Sequence, residues 1–293
     1  MSIFILGFFM LNSTQFIQDL ISISSLIRQY VGQVIVVKYG GSAMQDESLK
    51  KSVIDDILFL HSIGIKVVVV HGGGPIINHW LSKCNIKPCF RNGVRVTDYK
   101  TMQIVQMVLE GKVNKNLVSM LNLSGNYAIG LSGRDVNLIN AIPLSANDDD
   151  FVGTVNNVNS KILSSLLDDG YIPVIASIAS DSKGRVYNIN ADIVAGALAK
   201  ALKVEKLIFL TDTPGIMLDI TDDSTLIKTL SVSDVLSLKC NHIISAGMIP
   251  KVDCCIDVLR SNVQSVHIIN GCLPHALLLE ILTIDRIGSM LTL

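Results

Sequence analysis

An α/β fold, a three-layer αβα sandwich around a mostly parallel central sheet, is what the 293-residue sequence predicts. Three observations carry that expectation. Short β-type apolar runs alternate with helix-period stretches along almost the whole chain, the signature of strand–helix–strand units. One run, Val67-Val68-Val69-Val70, is apolar at every position, as a parallel strand covered on both faces requires. Glycines follow two strands directly, at Gly40-Gly41 and Gly72-Gly73-Gly74, where backbone N–H groups can approach an anion with no side chain between them.

The elements follow in order. Met1 to Leu11 is strongly apolar but lacks a basic leader region and a small-residue cleavage site, and is too short to cross a bilayer. It reads as an extension, disordered or packed on a partner, with Met10 as an alternative start. Asn12 and Gln15 can cap a helix whose face is Phe16, Leu20, Ile23, Ile27 and Tyr30, with Gly32 at its end. That face has two outlets, the chain's own core or another subunit. Val34 to Val37 is a strand, Ser48 to Ser62 a helix stopped by Gly64, and Val67 to Val70 a strand leading through the triple glycine and Pro75 into a helix over Ile76 to Leu81.

Thr101 to Met120 reads as one long helix containing Gly111, followed by a strand at Ala128 to Leu131. After the polar break at Asp148-Asp149-Asp150 come an edge strand, Gly153 to Val158, and a helix, Lys161 to Leu167. Ile172 to Ile178 reads as one buried strand despite Pro173. Arg185 to Ile189 is one arm of a hairpin, Ala191 to Leu202 an alanine-rich helix, and Leu207 to Leu210 a buried strand ended by Thr211-Asp212. Lys251 to Leu259 (helix), Val266 to Ile269 (strand) and Leu277 to Leu282 (helix) complete the pattern. Ligands of such sheets bind at the carboxyl ends of strands, where Lys38, Gly40, Gly72 and Thr211 fall.

Composition narrows the function. At 49% hydrophobic and 17% charged, the chain has the material for a packed core and is not a disordered one. A formal net charge of −1, with no basic stripe interleaved with aromatics, argues against nucleic acid as a partner. None of the six cysteines forms a C-x-x-C pair or a zinc spacing, so buried reduced thiols are expected. Walker, Rossmann and protein-kinase fingerprints are all missing. What remains is a set of four phosphate-holding segments: Lys38-Tyr39-Gly40-Gly41, His71-Gly72-Gly73-Gly74, Asn188 to Asp192, and Gly247-Met248-Ile249-Pro250-Lys251. Two glycine loops with two lysines far apart in sequence point to phosphoryl transfer.

With these segments, Asn92-Gly93-Val94-Arg95-Val96-Thr97, Gly111-Lys112-Val113-Asn114-Lys115, Gly130-Leu131-Ser132-Gly133, Gly170-Tyr171-Ile172-Pro173-Val174 and Leu210-Thr211-Asp212, the chain from about Val34 to Met290 resembles the amino-acid kinase family. Arg95 and the Asn188 to Asp192 stretch resemble its branch acting on N-acetyl-L-glutamate. The resemblance implies ATP-dependent phosphorylation of that substrate's side-chain carboxylate to N-acetyl-L-glutamyl 5-phosphate, the second step of arginine biosynthesis. It implies a fold of residues 34–293, with an acetylglutamate-binding lobe over about 34–185 and an ATP-binding lobe over about 186–293. Residues 1–33 would then be an extension and interaction helix.

By the same resemblance, Lys38 and Lys251 stabilise the transition state and Asp192 holds them in register. Gly40, Gly41 and Gly72 receive phosphate, and Gly73, Gly74, Arg95 and Asn188 bind acetylglutamate. Thr211, Asp212 and Gly215 border ATP, with Mg²⁺ arriving on the nucleotide and no protein-held metal site. The chemistry suits these residue types: a carboxylate acceptor is already ionised near neutrality, so alignment and charge neutralisation carry the reaction. The N-terminal helix and the tail resemble the arginine-inhibited members, with arginine at His267, Glu280 and Gly288 and a hexamer built as a trimer of dimers. Cys272, where arginine is common, and Ile284-Asp285-Arg286, where an Asp-Glu-Gly-like run is usual, depart from that pattern. The sequence looks most like cyanobacterial and plastid-encoded members, which implies a plastid stroma or a bacterial cytoplasm, no membrane partner, and the PII signalling protein as a candidate partner.

Overall fold

The computed structural model describes residues 14, 17–18, 21–91, 93–244, 247–283 and 285–293. The apolar segment before Asn12, and Asn12, Gln15, Phe16 and Leu20 of the expected cap and helix face, lie outside them. Helix α1 covers 21–30; its Ile27 and Tyr30 pack on the core, whereas Ile17 and Ile21 stay exposed. Then follow β1 (Val34–Tyr39), α2 (Glu47–Ser62), β2 (Lys66–His71), α3 (Gly74–Lys83), the short pair β3 (Phe90–Arg91) and β4 (Val94–Arg95), α4 (Tyr99–Gln106), α5 (Asn114–Leu121) and β5 (Ala128–Ser132). The middle of the chain holds β6 (Ile139–Pro143), β7 (Val152–Val158), α6 (Lys161–Asp168), β8 (Ile172–Ala176), β9 (Ile178–Ser180) and β10 (Val186–Ile189). The remainder is α7 (Ala191–Leu202), β11 (Lys206–Thr211), β12 (Thr229–Ser231), α8 (Val232–Cys240), α9 (Ile249–Leu259), β13 (Ser265–Asn270), α10 (Ala276–Leu282) and β14 (Ser289–Thr292).

Eight strands form one sheet in the order β12-β14-β13-β11-β1-β2-β8-β5. The six from β13 to β5 run parallel, and β14 is antiparallel to β13. Period-two alternation splits every central strand between two cores. Ile35, Val37, Val67 and Val69 face α2, α4, α5 and α10; Val36, Val68 and Val70 face α6, α7 and α9. These are the expected three layers, and the all-valine run is buried on both sides because each face has its own helical cover. Among the described residues no helix is long and apolar enough to cross a membrane.

The expectation of buried thiols fails for most of the cysteines, since Cys84, Cys89 and Cys240 are exposed and only Cys255 is fully buried. Three local expectations about the elements are also corrected. The long helix from Thr101 is interrupted by a π-helical segment, Met107–Val113, around Gly111, so side chains beyond it are re-phased. The run from Ile172 divides: β8 stays in the main sheet, while β9 leaves it to pair antiparallel with β10. The stretch from Gly153 is not an edge, because β7 lies between β6 and β10 in a small closed barrel of β10-β7-β6-β9. Its polar Asn156 and Asn157 are exposed, which mimics an edge pattern.

The carboxylate of Asp56 on α2 is fully buried and ties α2 to α10. It accepts from His275 Nδ1 at 2.7 Å and from the Leu277 N–H at 3.2 Å, while Ser52 Oγ accepts the His275 N–H at 2.7 Å. Replacing Asp56 with alanine strands the buried Leu277 N–H and releases the exposed His275 ring, so we expect a loss of about 1–3 kcal/mol in urea unfolding. Unchanged stability would contradict this account of the α2–α10 junction.

Candidate functional site

The cleft forms where the carboxyl ends of β1, β2 and β11 meet the amino ends of α3, α7 and α9. Asn190 caps α7 by accepting the Asp192 N–H at 2.8 Å, so the cap is Asn190 and the Asp192 carboxylate is left for other work. Lys38, near the end of β1, places Nζ 3.1 Å from Asp192 Oδ1. Lys251, in the first turn of α9, places Nζ 2.6 Å from Asp192 Oδ2. The three side chains are between 12 and 17% exposed. Burial pushes the Asp192 carboxyl up, but the two ammonium groups outweigh it and hold it down at about 2. The Lys251 ammonium also lies 4.7 Å from the Phe209 ring centroid, a contact with no signal in the sequence pattern.

The glycines make room for this cluster. A Cβ at Gly40 would stand 2.8 Å from Lys38 Nζ. Gly41 has a left-handed φ of +78°, and a Cβ there would collide with the Asp212 carboxylate. The Gly72 N–H donates to Tyr39 O at 3.2 Å, which brings the second loop beside the first. Gly73 caps α3 without a side chain, and Gly74 opens that helix with no heavy atom within 4 Å of a Cβ position. A helix start of this kind directs backbone N–H groups and the positive dipole end outward.

Arg95 lies beyond Gly74. Its Nη2 donates to Asn78 Oδ1 at 2.7 Å and to Gly74 O at 3.3 Å, and its guanidinium lies 4.7 Å from the Phe90 ring. Its Nη1 is buried with no acceptor, and burial lowers the guanidinium's pKa from its ordinary value. The arrangement is that of a cation suited to an incoming anion. Asn188 on β10 donates to Thr97 Oγ1 at 3.2 Å, and Thr97 Oγ1 donates to Arg95 O at 2.9 Å, so the two are linked. Asn78 carries no signal in the sequence, and Thr97 appears there only as the end of the Asn92 to Thr97 block; their roles emerge once β4 is folded against α3 and β10.

On the other side of the lysines, Thr211, Asp212 and Gly215 line a cavity of about 720 Å³ together with Gly247, Met248 and Lys251. Gly215 is there for packing, since a Cβ would stand 2.5 Å from Ser289 Oγ. Among the described residues no group of three His, Cys, Asp or Glu is placed to hold a metal ion.

His267, Glu280 and Gly288 are also brought together, away from the cleft. Glu280 Oε1 accepts from His267 Nδ1 at 2.7 Å, and Oε2 accepts the N–H groups of Ile287 and Gly288, each at 3.1 Å. Burial lowers the His267 pKa, with the Glu280 contact opposing it. Lys206, which lies 3.5 Å from His267 Nε2 and 4.9 Å from the Tyr30 ring centroid, joins this cluster to α1.

Comparison with known proteins adds an independent line. Residues 33–270 match the family described as the amino acid kinase family. The chain is 58% identical over 285 residues to the acetylglutamate kinase of Gracilaria tenuistipitata var. liui, covering 97% of this chain and 100% of that one. It is 53% identical to the acetylglutamate kinase of Nostoc punctiforme, covering 90% and 89% of the two chains. Among solved structures it superposes on N-acetylglutamate synthase from Neisseria gonorrhoeae, complexed with coenzyme A and N-acetyl-glutamate, with a TM-score of 0.83 at 26% identity. That match takes 95% of this chain but 63% of the synthase. Carbamate kinase from Giardia lamblia, at a TM-score of 0.63 and 16% identity over 89% of this chain and 98% of that one, shares the fold.

Because the Asp192 pKa is depressed, the stability it contributes is full above the unfolded carboxyl value near 4 and is lost as pH falls toward about 2. Asp192→Asn, which leaves two ammonium groups facing each other, should lower stability in urea titrations at neutral pH. The deficit should narrow only below about pH 4. A deficit constant down to the acid limit would show that Asp192 is not the counter-charge.

Proposed function

The chain belongs to the acetylglutamate kinase branch of the amino acid kinase family, and from that premise we propose that it transfers the terminal phosphoryl group of ATP to the side-chain carboxylate of N-acetyl-L-glutamate. One observation supports this more than any other: Lys38 and Lys251, reaching in from opposite sides, share the single carboxylate of Asp192. An acceptor carboxylate oxygen attacks the terminal phosphorus, the bond to the bridging oxygen breaks, and ADP leaves. No proton has to be removed. The cost lies in bringing two anions together, and the two ammonium groups offset the charge spread over the moving phosphoryl group.

In this reading residues 34–185 hold acetylglutamate and 186–293 hold the nucleotide. Gly73, Gly74 and the unpaired Arg95 Nη1 face the acceptor, with Arg95 taking its α-carboxylate and Asn188 its amide region. Gly40, Gly41 and Gly73 offer backbone N–H groups to the phosphoryl oxygens, Gly72, whose own N–H donates to Tyr39 O, borders them through the rest of its backbone, and Thr211, Asp212 and Gly215 border ATP. Mg²⁺ enters as part of the nucleotide substrate and bridges its phosphates.

We further propose that arginine inhibits the enzyme at Glu280, His267 and Gly288, next to α1, within a hexamer that α1 helps to assemble, and that PII binds this assembly. The red-algal and cyanobacterial relatives support a plastid stroma or a bacterial cytoplasm.

A coupled assay with ATP should show turnover of N-acetylglutamate and none of carbamate, aspartate or nucleoside monophosphates. Lys38→Ala or Lys251→Ala should lower kcat about 10²–10³-fold with the fold intact by circular dichroism. Arg95→Lys, which loses the planar fork, should raise KM for acetylglutamate by roughly tenfold or more and leave KM for ATP unchanged. Unaltered turnover in the lysine variants would overturn the assignment. Glu280→Gln should abolish inhibition by arginine while sparing basal kcat; retained inhibition would place the effector elsewhere.

A further inference from the structure

His71 ends β2 and is fully buried, yet no step of the proposed reaction uses it. Its Nδ1 lies 2.9 Å from Gly72 O, and its Nε2 lies 3.1 Å from Asn114 Nδ2. A carbonyl oxygen only accepts, so Nδ1 carries the proton. Nε2 is then the acceptor, and the second hydrogen of the Asn114 amide is shared between Val174 O at 2.9 Å and Leu131 O at 3.3 Å. Burial, opposed in part by the bond to Gly72, pulls His71 down to about 4, so the ring is neutral near neutral pH.

The surroundings are arranged around this contact. Asn114 is the first residue after the π-helical segment, which sets the phase that turns it toward His71. The same segment supplies Leu109 and Val113, which lie 2.7 and 3.3 Å from where a Gly73 Cβ would stand. On β5, a Cβ at Gly130 would collide with Asn114 Oδ1, so that glycine makes room for the amide.

We propose that His71, oriented by Asn114, is a positioning residue that fixes the Gly72–Gly73 peptide for phosphoryl transfer. Among the described residues no peptide bond is cis, so the Gly72 C=O and the Gly73 N–H of their shared peptide unit point in opposite directions. With Gly72 O held inward against the ring, the Gly73 N–H is aimed away from it, outward at the start of α3. A donor pre-aimed in this way costs no reorganisation when charge develops. The inference rests on the reaction proposed above.

Two amide substitutions separate the role from simple packing. In His71→Asn the side-chain Nδ2 stands where imidazole Nδ1 stood and keeps a donor for Gly72 O; in His71→Gln the amide reaches the Nε2 position and leaves Gly72 O without one. We expect H71N to keep kcat within about threefold and H71Q to lose roughly tenfold or more. KM for both substrates should stay within about threefold in each, and the two thermal midpoints should be alike. Equal kcat in the two variants, or a loss confined to KM, overturns the proposal. Should neither variant fold, ring-nitrogen NMR of the labelled wild type decides: the Nδ1–H tautomer at His71 supports it, and the Nε2–H tautomer overturns it. A wild type that does not phosphorylate acetylglutamate would instead remove the proposed function and leave the tautomer result standing.

Discussion

Two ammonium groups in a narrow cleft repel each other unless an anion stands between them, and the whole site is organised by that requirement. Lys38 comes from the central strand and Lys251 from a helix far along the chain, so neither can be correctly placed until the sheet is complete. Asp192 joins them from a third element, α7, whose own start is capped by Asn190 and therefore makes no demand on the aspartate. The carboxylate is held well below its ordinary range by the same pair that it orients. Coulombic attraction in a partly dry cleft is stronger than at an exposed surface, so this small cluster can hold three elements in register.

Much of this was legible in the sequence because strand ends announce themselves. A run of buried residues followed by glycines specifies both a parallel strand and the open backbone beside it, and the valines from Val67 through Gly74 do so without help from anything distant. The α7 boundaries, Ala191–Leu202, were readable from its alanine-rich body, although the cap at Asn190 emerged only in the fold. The residues and motifs that carry the family resemblance added the grouping of Lys38, Asp192 and Lys251, which local pattern does not contain.

What could not be read lies where the physics is non-local. The π-helical segment has no periodicity of its own, and what it accompanies is distant in sequence: Leu109 and Val113 beside Gly73, and Asn114 against His71. The division between β8 and β9 depends on a barrel whose other strands lie elsewhere in the chain. Asn78 and Thr97 are ordinary polar residues until a folded hairpin brings Arg95 to them. Histidine at the end of β2 was visible within its glycine segment, but its partner is on a helix that the sequence presents as uninterrupted.

The position of β1 has a consequence for how the polypeptide is made. One flank of β1 pairs with β2 soon after both are synthesised, but the other waits for β11, most of the chain later. Until then the nascent protein carries an open, apolar hydrogen-bonding ladder along the strand that holds Lys38. Completion of the sheet is therefore a late, long-range event, slow by the entropy of closing so large a loop. A ribosome-bound intermediate of this shape is a substrate for folding helpers that shield strand edges, and a truncated product would expose the same ladder permanently.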